Sequence, residues 1–166
     1  MLEQYKELGK GIKQKKNLLF ANVFIQENLL HAIVDRNSEI SSKQWLLMAV
    51  CKSFSKPQDL STLAKYMGCS RQNVKKLALQ LEKKGYISLV KSVSDARSIC
   101  VEITEKGWEF SQRNTAMAES IHNALFQYFS DEDIDMYFEL SMKMIQGIEN
   151  LECFFKETSY EKSSLN

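Results

Sequence analysis

The chain is almost free of the two residues that most often interrupt helices. Proline occurs once, at Pro57, and glycine six times in 166 residues. Because a chain so poor in both can form few turns, the composition predicts a mainly helical protein. The hydrophobic content of 44% and the charged content of 26% are ordinary for a soluble globular protein. The length fits one domain, or one domain with an appended element.

Apolar residues recur at spacings of three and four, which is the period of a helix with one buried face. We expect helices at about 18–34, 43–54, 60–67, 71–84, 105–129 and from 131 onward. Each of four helices follows a residue that can cap its first turn. These predicted caps are Ser42, Asp59, Ser70 and Ser130. Gly68 and Gly85 end two of the helices, because glycine accepts the left-handed conformation that follows a helix end.

The period changes after Gly85. Ile87 and Leu89 alternate with polar or smaller neighbours, and so do Ile99, Val101 and Ile103. Alternation of this kind predicts two short strands, and the segment "KSVSDARS" joins them into a hairpin.

The helix that follows Ser70 has two different sides. At 100° per residue, Val74, Leu77, Ala78 and Leu81 share one arc, which predicts a buried stripe. The opposite side carries cations and amides, among them Gln72, Lys76 and Lys83, and Leu79 also points outward there. A helix with this pattern, placed after a short turn and before a hairpin, is typical of a helix-turn-helix unit.

Charge is distributed unevenly along the chain. Residues 56–97 hold nine basic and three acidic residues, a net charge of +6, whereas residues 129–166 hold three lysines and nine acids, a net charge of −6. A charged block can be only a solvated face. Here the basic block coincides with the helix-turn-helix pattern, which favours a polyanionic partner.

The polar side of the Ser70 helix carries the side-chain types that bind DNA. A hydroxyl at a helix N-terminus donates to phosphate oxygens, an amide pairs with adenine, and a cation contacts either a phosphate or a base edge. Taken singly, these are ordinary exposed positions; as a set directly after "GCS" they favour DNA binding. The candidate contacts are the hydroxyl of Ser70, the amides of Gln72 and Asn73, and the cations of Arg71, Lys75 and Lys76.

The hairpin adds three further candidates. Arg97 lies near the predicted tip, where an arginine can enter the narrow, electronegative minor groove. Asp95 would repel phosphate, so its expected task is to hold the loop and orient a nearby arginine. Lys91 ends the first strand and supplies a cation beside the loop.

The sequence resembles the MarR (multiple antibiotic resistance regulator) family of winged-helix transcription regulators. The resemblance rests on "LAKYMGCSRQNVKKLALQLEKKGYI" and "SDARSICVEITEKG" at matching spacing, within residues 60–107. It includes the D-x-R wing at Asp95 and Arg97. Members commonly have basic residues along the first wing strand, where this chain has Leu89 and Val90 before Lys91. Peroxide-sensing members use a cysteine in the first helix, and none precedes Cys51 here.

The resemblance implies a mainly α protein with a small β-hairpin wing. A winged helix-turn-helix DNA-binding lobe at 41–104 would lie between a helical dimerisation segment at 1–40 and completing helices at 105–166. It further implies a homodimer on a pseudo-palindromic operator in double-stranded DNA, and a repressor relieved by a small-molecule effector. Trp45, Trp108 and the phenylalanine-rich outer helices are candidates to line an effector cleft, although core packing is the simpler role for each.

Independently of the resemblance, the outer helices have more apolar surface than a small lone domain can cover. Dimerisation explains this economically, since a twofold interface lets one patch cover itself. A larger monomeric helical core is the alternative.

Other classes of function find little support in the sequence. His31 and His122 are far apart, and no phosphate loop or nucleophile motif is present, so we expect no enzyme, cofactor or metal site. A winged-helix protein-interaction module would carry an acidic or apolar outer face instead. A thiol-based redox regulator remains an alternative, with Cys69 as the best-placed of four cysteines: Cys51, Cys69, Cys100 and Cys153. The charged N-terminus and the lack of a long apolar run favour a cytoplasmic protein without a membrane partner.

Overall fold

Seven helices and three short strands follow one another in the part of the chain that the computed structural model describes, residues 7–92 and 97–163. The helices are α1 (Ile12–Asn37), α2 (Ser42–Lys52), α3 (Leu60–Tyr66), α4 (Arg71–Lys83), α5 (Glu105–Arg113), α6 (Thr115–Phe126) and α7 (Asp131–Ser163). The strands are β1 (Gln58–Asp59), β2 (Ile87–Lys91) and β3 (Ile99–Ile103). The chain divides into two compact units, with the division between Arg113 and Asn114.

The strands of the first unit form one antiparallel sheet in the order β1-β3-β2. Leu89 of β2 lies opposite Val101 of β3, and Val101 also faces Gln58 of β1. This confirms the predicted hairpin and adds β1, a strand of two residues that is too short to show any period. The fold is therefore mainly α with a small β-hairpin wing, as predicted.

The core of the first unit is formed by α2–α5 and the sheet. Its largest fully buried side chains are Leu47, Leu60, Leu63, Val74, Leu81, Ile87 and Val101. Each apolar side chain removed from water in this way contributes roughly 1.5–3 kcal/mol to folding. By contrast, α1 belongs to the same unit but has no buried residue. Its last turn is tied to α2 because the Ser42 backbone N–H donates to Asp35 Oδ1 at 2.6 Å.

Three predictions about helix boundaries are wrong. The first helix, expected at about 18–34, begins at Ile12 and continues to Asn37. Ser42 is not the cap of α2: Ser41 is, because its Oγ accepts from the Gln44 N–H at 3.3 Å while Gln44 Oε1 accepts from the Ser41 N–H at 3.0 Å. This reciprocal capping box requires a glutamate or glutamine three residues after the cap, and of the two serines only Ser41 has one. The helix expected at 105–129 is instead two helices, which separate at Asn114 and end at Phe126.

The second unit consists of α6 and α7. A reciprocal pair caps α7, since the Asp133 N–H donates to Ser130 Oγ at 3.2 Å and the Ser130 N–H donates to Asp133 Oδ2 at 3.0 Å. Asp131, Glu132 and Asp133 lie in its first turn, where the helix dipole favours negative charge. The cap at Ser130 is as predicted. No residue of α6 is buried, and the same holds for every α7 side chain that the structure describes.

Candidate nucleic-acid interface

A short turn places α4 after α3. Gly68 has φ +60°, a conformation that glycine adopts readily, and the Cys69 N–H bonds back to the Ala64 carbonyl at 3.0 Å. The Ser70 Oγ then accepts from the Asn73 N–H at 3.2 Å. Because a hydroxyl both accepts and donates, this capping contact leaves the Ser70 hydrogen available for an external oxygen.

The two sides of α4 differ as its sequence predicts. Val74, Leu77, Ala78 and Leu81 are buried, which fixes the rotation of the helix about its axis. The polar side faces solvent along the whole helix. One continuous shallow groove there is lined by Ser70, Gln72, Asn73, Lys75, Lys76, Leu79, Gln80 and Lys83.

The groove brings together five of the six contacts predicted on this helix. Arg71, the sixth, is exposed but does not line the groove. Sequence reasoning left three of its residues out of the site: Leu79, Gln80 and Lys83. Leu79 and Lys83 were placed outward by helical spacing alone, whereas Gln80 has a partner 36 residues away, Gln44, that no local pattern indicates.

The groove is rich in uncompensated positive charge. In the described part of the chain, none of Lys75, Lys76 and Lys83 forms an ion pair. The acid of the same helix, Glu82, is engaged elsewhere, because its Oε1 accepts from the Leu89 N–H at 2.9 Å. A surface that carries one sign of charge concentrates counter-charged partners.

The Glu82 contact also ties the wing to α4, since Leu89 lies in the middle of β2. Lys91 is exposed at the end of that strand, where it pairs with Ile99. Arg97 is exposed just before β3. Asp95 falls outside the described residues, so its predicted task stays a prediction.

A second network joins the end of α4 to the start of α5. Thr104 Oγ1 donates to the Gly85 carbonyl at 2.7 Å and accepts from the Gly107 N–H at 3.1 Å. Lys106 Nζ donates to the Lys84 carbonyl at 2.8 Å. A Cβ on Gly107 would come within 2.0 Å of the Tyr86 carbonyl oxygen, so only glycine fits there. The segments "KKGY" and "TEKG" thus hold the sheet and α4 in one fixed geometry.

The cysteines differ in their chemistry. Burial raises the pKa of the Cys51 thiol to about 12, so its reactive thiolate is scarce at neutral pH. Cys100 is buried, Cys69 is half-buried and Cys153 is exposed. Cys51 is therefore a poor oxidant sensor.

The described residues offer neither a metal site nor a membrane-spanning helix. Across residues 7–92 and 97–163, no group of three or more His, Cys, Asp or Glu side chains is arranged to hold a metal ion. None of the described helices combines the length and apolarity that a membrane crossing requires.

The lobe that carries this groove is similar to a known protein family. The model of the MarR family matches residues 40–99. The transcriptional repressor MprA of Escherichia coli is 28% identical over 92 residues, which cover 55% of this chain and 52% of MprA. The chain therefore spans about half the length of that relative. The transcriptional activatory protein BadR of Rhodopseudomonas palustris is 26% identical over 147 residues, with 82% of this chain and 81% of BadR covered.

Solved structures agree with the observed fold. A MarR/EmrR family regulator from Acinetobacter superposes with a TM-score of 0.72 at 20% identity, covering 81% of this chain and 97% of that one. Sco3205 of Streptomyces coelicolor, solved in complex with DNA, superposes with a TM-score of 0.71 at 18% identity, covering 83% of this chain and 90% of Sco3205. Bordetella bronchiseptica BpsR, whose DNA binding is regulated by 6-hydroxynicotinic acid, superposes with a TM-score of 0.64 at 15% identity, covering 76% of this chain and 98% of BpsR. At these identities the likeness establishes the winged-helix fold.

Proposed function

We propose that this chain is a transcription regulator of the MarR type, which binds double-stranded DNA in a sequence-specific manner as a homodimer; the match of the MarR family model and the likeness to MprA support this. Each protomer would place α4 in a major groove and Arg97 in the adjacent minor groove. With a twofold dimer, the two half-sites lie about one helical turn apart, on the order of 34–36 Å.

The observation that carries this proposal is the exposed polar side of α4. Its cations and amides share one groove, while the opposite side is fully used in the core. Gln72 and Asn73 are exposed in the first turn, where recognition helices of helix-turn-helix proteins contact base edges. A protein-interaction module would need an apolar or acidic surface here, which disagrees with Lys75 and Lys76.

Dimerisation is supported by apolar side chains that neither unit buries. In α1, Phe20 and Phe24 stack edge to face, with ring centroids 5.3 Å apart, yet both are more than half exposed. In the second unit, Phe138 and Leu140 of α7 are similarly exposed. Exposed apolar surface on this scale marks an interaction site, and a second copy of the chain is the occupant we propose. The proposed division is then 1–40 and 105–166 for dimerisation and 41–104 for DNA.

We further propose that the protein is a repressor whose DNA binding is relieved by a small apolar or aromatic effector. MprA is a repressor, and the DNA binding of BpsR is regulated by 6-hydroxynicotinic acid. Trp45 and Trp108 are 46% and 47% exposed, so neither lies in the core of the isolated chain, contrary to the simpler role expected for them. Both remain candidate effector contacts. No catalytic role, cofactor or metal enters the proposal, and a cytoplasmic location is part of it because the proposed DNA target would lie there.

The experiment is a binding titration on a duplex selected by the full-length protein from a randomised pool. Affinity should fall steeply with salt, with a log–log slope of roughly −0.9 per neutralised phosphate. Lys76→Ala should weaken binding, while Lys143→Ala, an exposed lysine of α7, should not. Replacing Gln72 should cost roughly 1–3 kcal/mol of discrimination at particular base pairs. Failure of the wild-type protein to enrich any sequence would rule the proposal out.

A further inference from the structure

Gln44 connects the cap of α2 to the groove on α4. Gln44 is only 7% exposed, and its side-chain amide makes two hydrogen bonds at once. Gln44 Oε1 accepts from the Ser41 N–H at 3.0 Å, and Gln44 Nε2 donates to Gln80 Oε1 at 2.9 Å. The second bond bridges 36 residues of sequence and ends on a side chain that lines the groove.

These bonds determine the orientation of the Gln80 side-chain amide. A backbone N–H can only donate, so the Gln44 atom facing Ser41 must be the oxygen. Its nitrogen therefore faces Gln80 and has to donate, which requires an oxygen on the Gln80 side. The Gln80 carbonyl is thus held inward, and its NH₂ group is the end left to face outward.

Gln80 lies at the rim of the polar side of α4. At about 100° per residue it is roughly 80° from Gln72, between the exposed Lys76 and the buried Leu77. In a DNA complex, a side chain at this rim would face the sugar-phosphate backbone beside the major groove rather than the base edges at the floor of that groove. Phosphodiester oxygens are acceptors only, so an outward NH₂ group can bond to them, whereas an outward carbonyl would be repelled.

We propose that Gln80 donates a hydrogen bond from Nε2 to a DNA phosphate and that Gln44 is the positioning residue that holds the amide in the productive orientation. The inference rests on the proposed DNA-binding function. It adds a phosphate contact that carries no charge, so the contact should add affinity without adding to the salt dependence, which follows the number of cations engaged.

The test uses full-length protein and a duplex selected by the wild-type chain. Gln80→Met keeps the length of the side chain and removes its donor. Gln44→Glu keeps the acceptor for Ser41, so the capping box survives, but it has no donor. Gln80 must then rotate its amide to donate inward, and its oxygen faces the DNA. Thermal unfolding of every variant verifies that each is folded at the assay temperature.

We expect Gln80→Met to weaken binding roughly three- to tenfold, the range for one neutral hydrogen bond, with an unchanged salt slope. Gln44→Glu should weaken binding at least as much. In a Gln80→Met background, Gln44→Glu should lower the DNA affinity clearly less than it does in the wild-type background. The loss of affinity that remains measures the effect of the new negative charge alone. A merely structural role for Gln44 predicts equal losses in both backgrounds, and that result would overturn the positioning claim.

The phosphate itself can be located with duplexes that carry a single uncharged methylphosphonate linkage. At one linkage in each half-site, wild-type protein and Gln80→Met should bind with the same affinity. A Gln80→Met penalty that instead disappears on changing one base pair would assign a base contact and refute the proposal. Binding of Gln80→Met with the affinity of the wild-type protein would also refute the proposal.

If Gln44→Glu does not fold, Gln44→Met replaces it in the same pair of backgrounds. A wild-type protein that selects no duplex contradicts the proposed function instead, so the two failures are distinguishable.

Discussion

The lobe formed by α2–α5 and the sheet contrasts with the long helices α1 and α7. The lobe buries its apolar residues and connects its elements through side-chain hydrogen bonds, such as those of Thr104 and Glu82. Neither long helix has a buried side chain among those described, although both carry phenylalanine. The contrast indicates that the lobe is stable through its own contacts, whereas the long helices would depend on surface supplied by the proposed second copy of the chain.

The largest expected effect is at the closest backbone approach in the lobe. Gly107→Ala would place a Cβ 2.0 Å from the Tyr86 carbonyl oxygen, so the backbone must shift, and we expect a loss of about 3 kcal/mol or more in the free energy of unfolding. Gly147→Ala in α7 is the matched control, since nothing lies within 4 Å of that position. There alanine should stabilise the helix by roughly 0.5–1 kcal/mol. Urea unfolding measures both, and equal effects would remove the contrast between the regions.

The next effect compares one apolar side chain from each region. Leu81→Ala empties a fully buried position of α4 and should cost roughly 2–5 kcal/mol of unfolding free energy. Phe24 of α1 is 53% exposed in the single chain, so Phe24→Ala should spare the fold of the lobe but raise the dimer dissociation constant at least fivefold. Sedimentation at several concentrations measures the dissociation constant. A chain that is monomeric at all concentrations would contradict the explanation offered for the exposed helices.

The lobe is also where the sequence predicted most. The boundaries of α4 depend on Ser70 and Gly85, whose effects are local, and both were located correctly. The sequence also contains a signal for the capping box of α2, since Gln44 lies three residues after Ser41 and only two after Ser42. Choosing between adjacent serines required that spacing, and the pattern of apolar residues alone does not provide it.

Other features had no local signal. Neither proline nor glycine lies at the break between α5 and α6, and Asn114 there has φ −93° and ψ 3°, which any residue can adopt. The contact between Gln44 and Gln80 depends on how α2 packs against α4. The predicted DNA contacts on α4 could be grouped on one surface because helical spacing is enough for that, whereas the orientation of the Gln80 amide required the tertiary structure.

A smaller effect is expected at the cap of α3. Asp59 Oδ1 accepts from the Ser61 and Thr62 N–H groups, and Oδ2 accepts from the Thr62 hydroxyl at 2.7 Å. These bonds, led by that of the Thr62 side chain, hold the pKa of Asp59 below its ordinary value. Its contribution to stability is therefore complete above the ordinary pKa near 4 and is lost as the pH falls through the lower folded pKa.

Asp59→Ala should accordingly cost about 1 kcal/mol at neutral pH, and this cost should shrink below pH 4. Asp59→Asn retains a capping oxygen and should lie close to the wild type at neutral pH without that component of the acid dependence. Thermal unfolding measured between about pH 2.5 and 7, in steps of roughly half a pH unit, would show this difference in acid dependence between the two variants. A cost of Asp59→Ala that does not vary with pH would assign the effect to packing.

The smallest effect on folding is expected at the wing. Arg97 is exposed, so Arg97→Ala should change the unfolding free energy by no more than about 0.5 kcal/mol and leave dimerisation unaltered. If Arg97 enters the minor groove, the same change should lower DNA affinity and reduce the magnitude of the salt slope by about 1, because one cation is lost from the interface. Phe24→Ala should instead lower affinity only at protein concentrations where the dimer dissociates. Titrations at two protein concentrations separate these cases, and full affinity of Arg97→Ala would leave α4 as the principal DNA-contacting element, with no contribution from the wing.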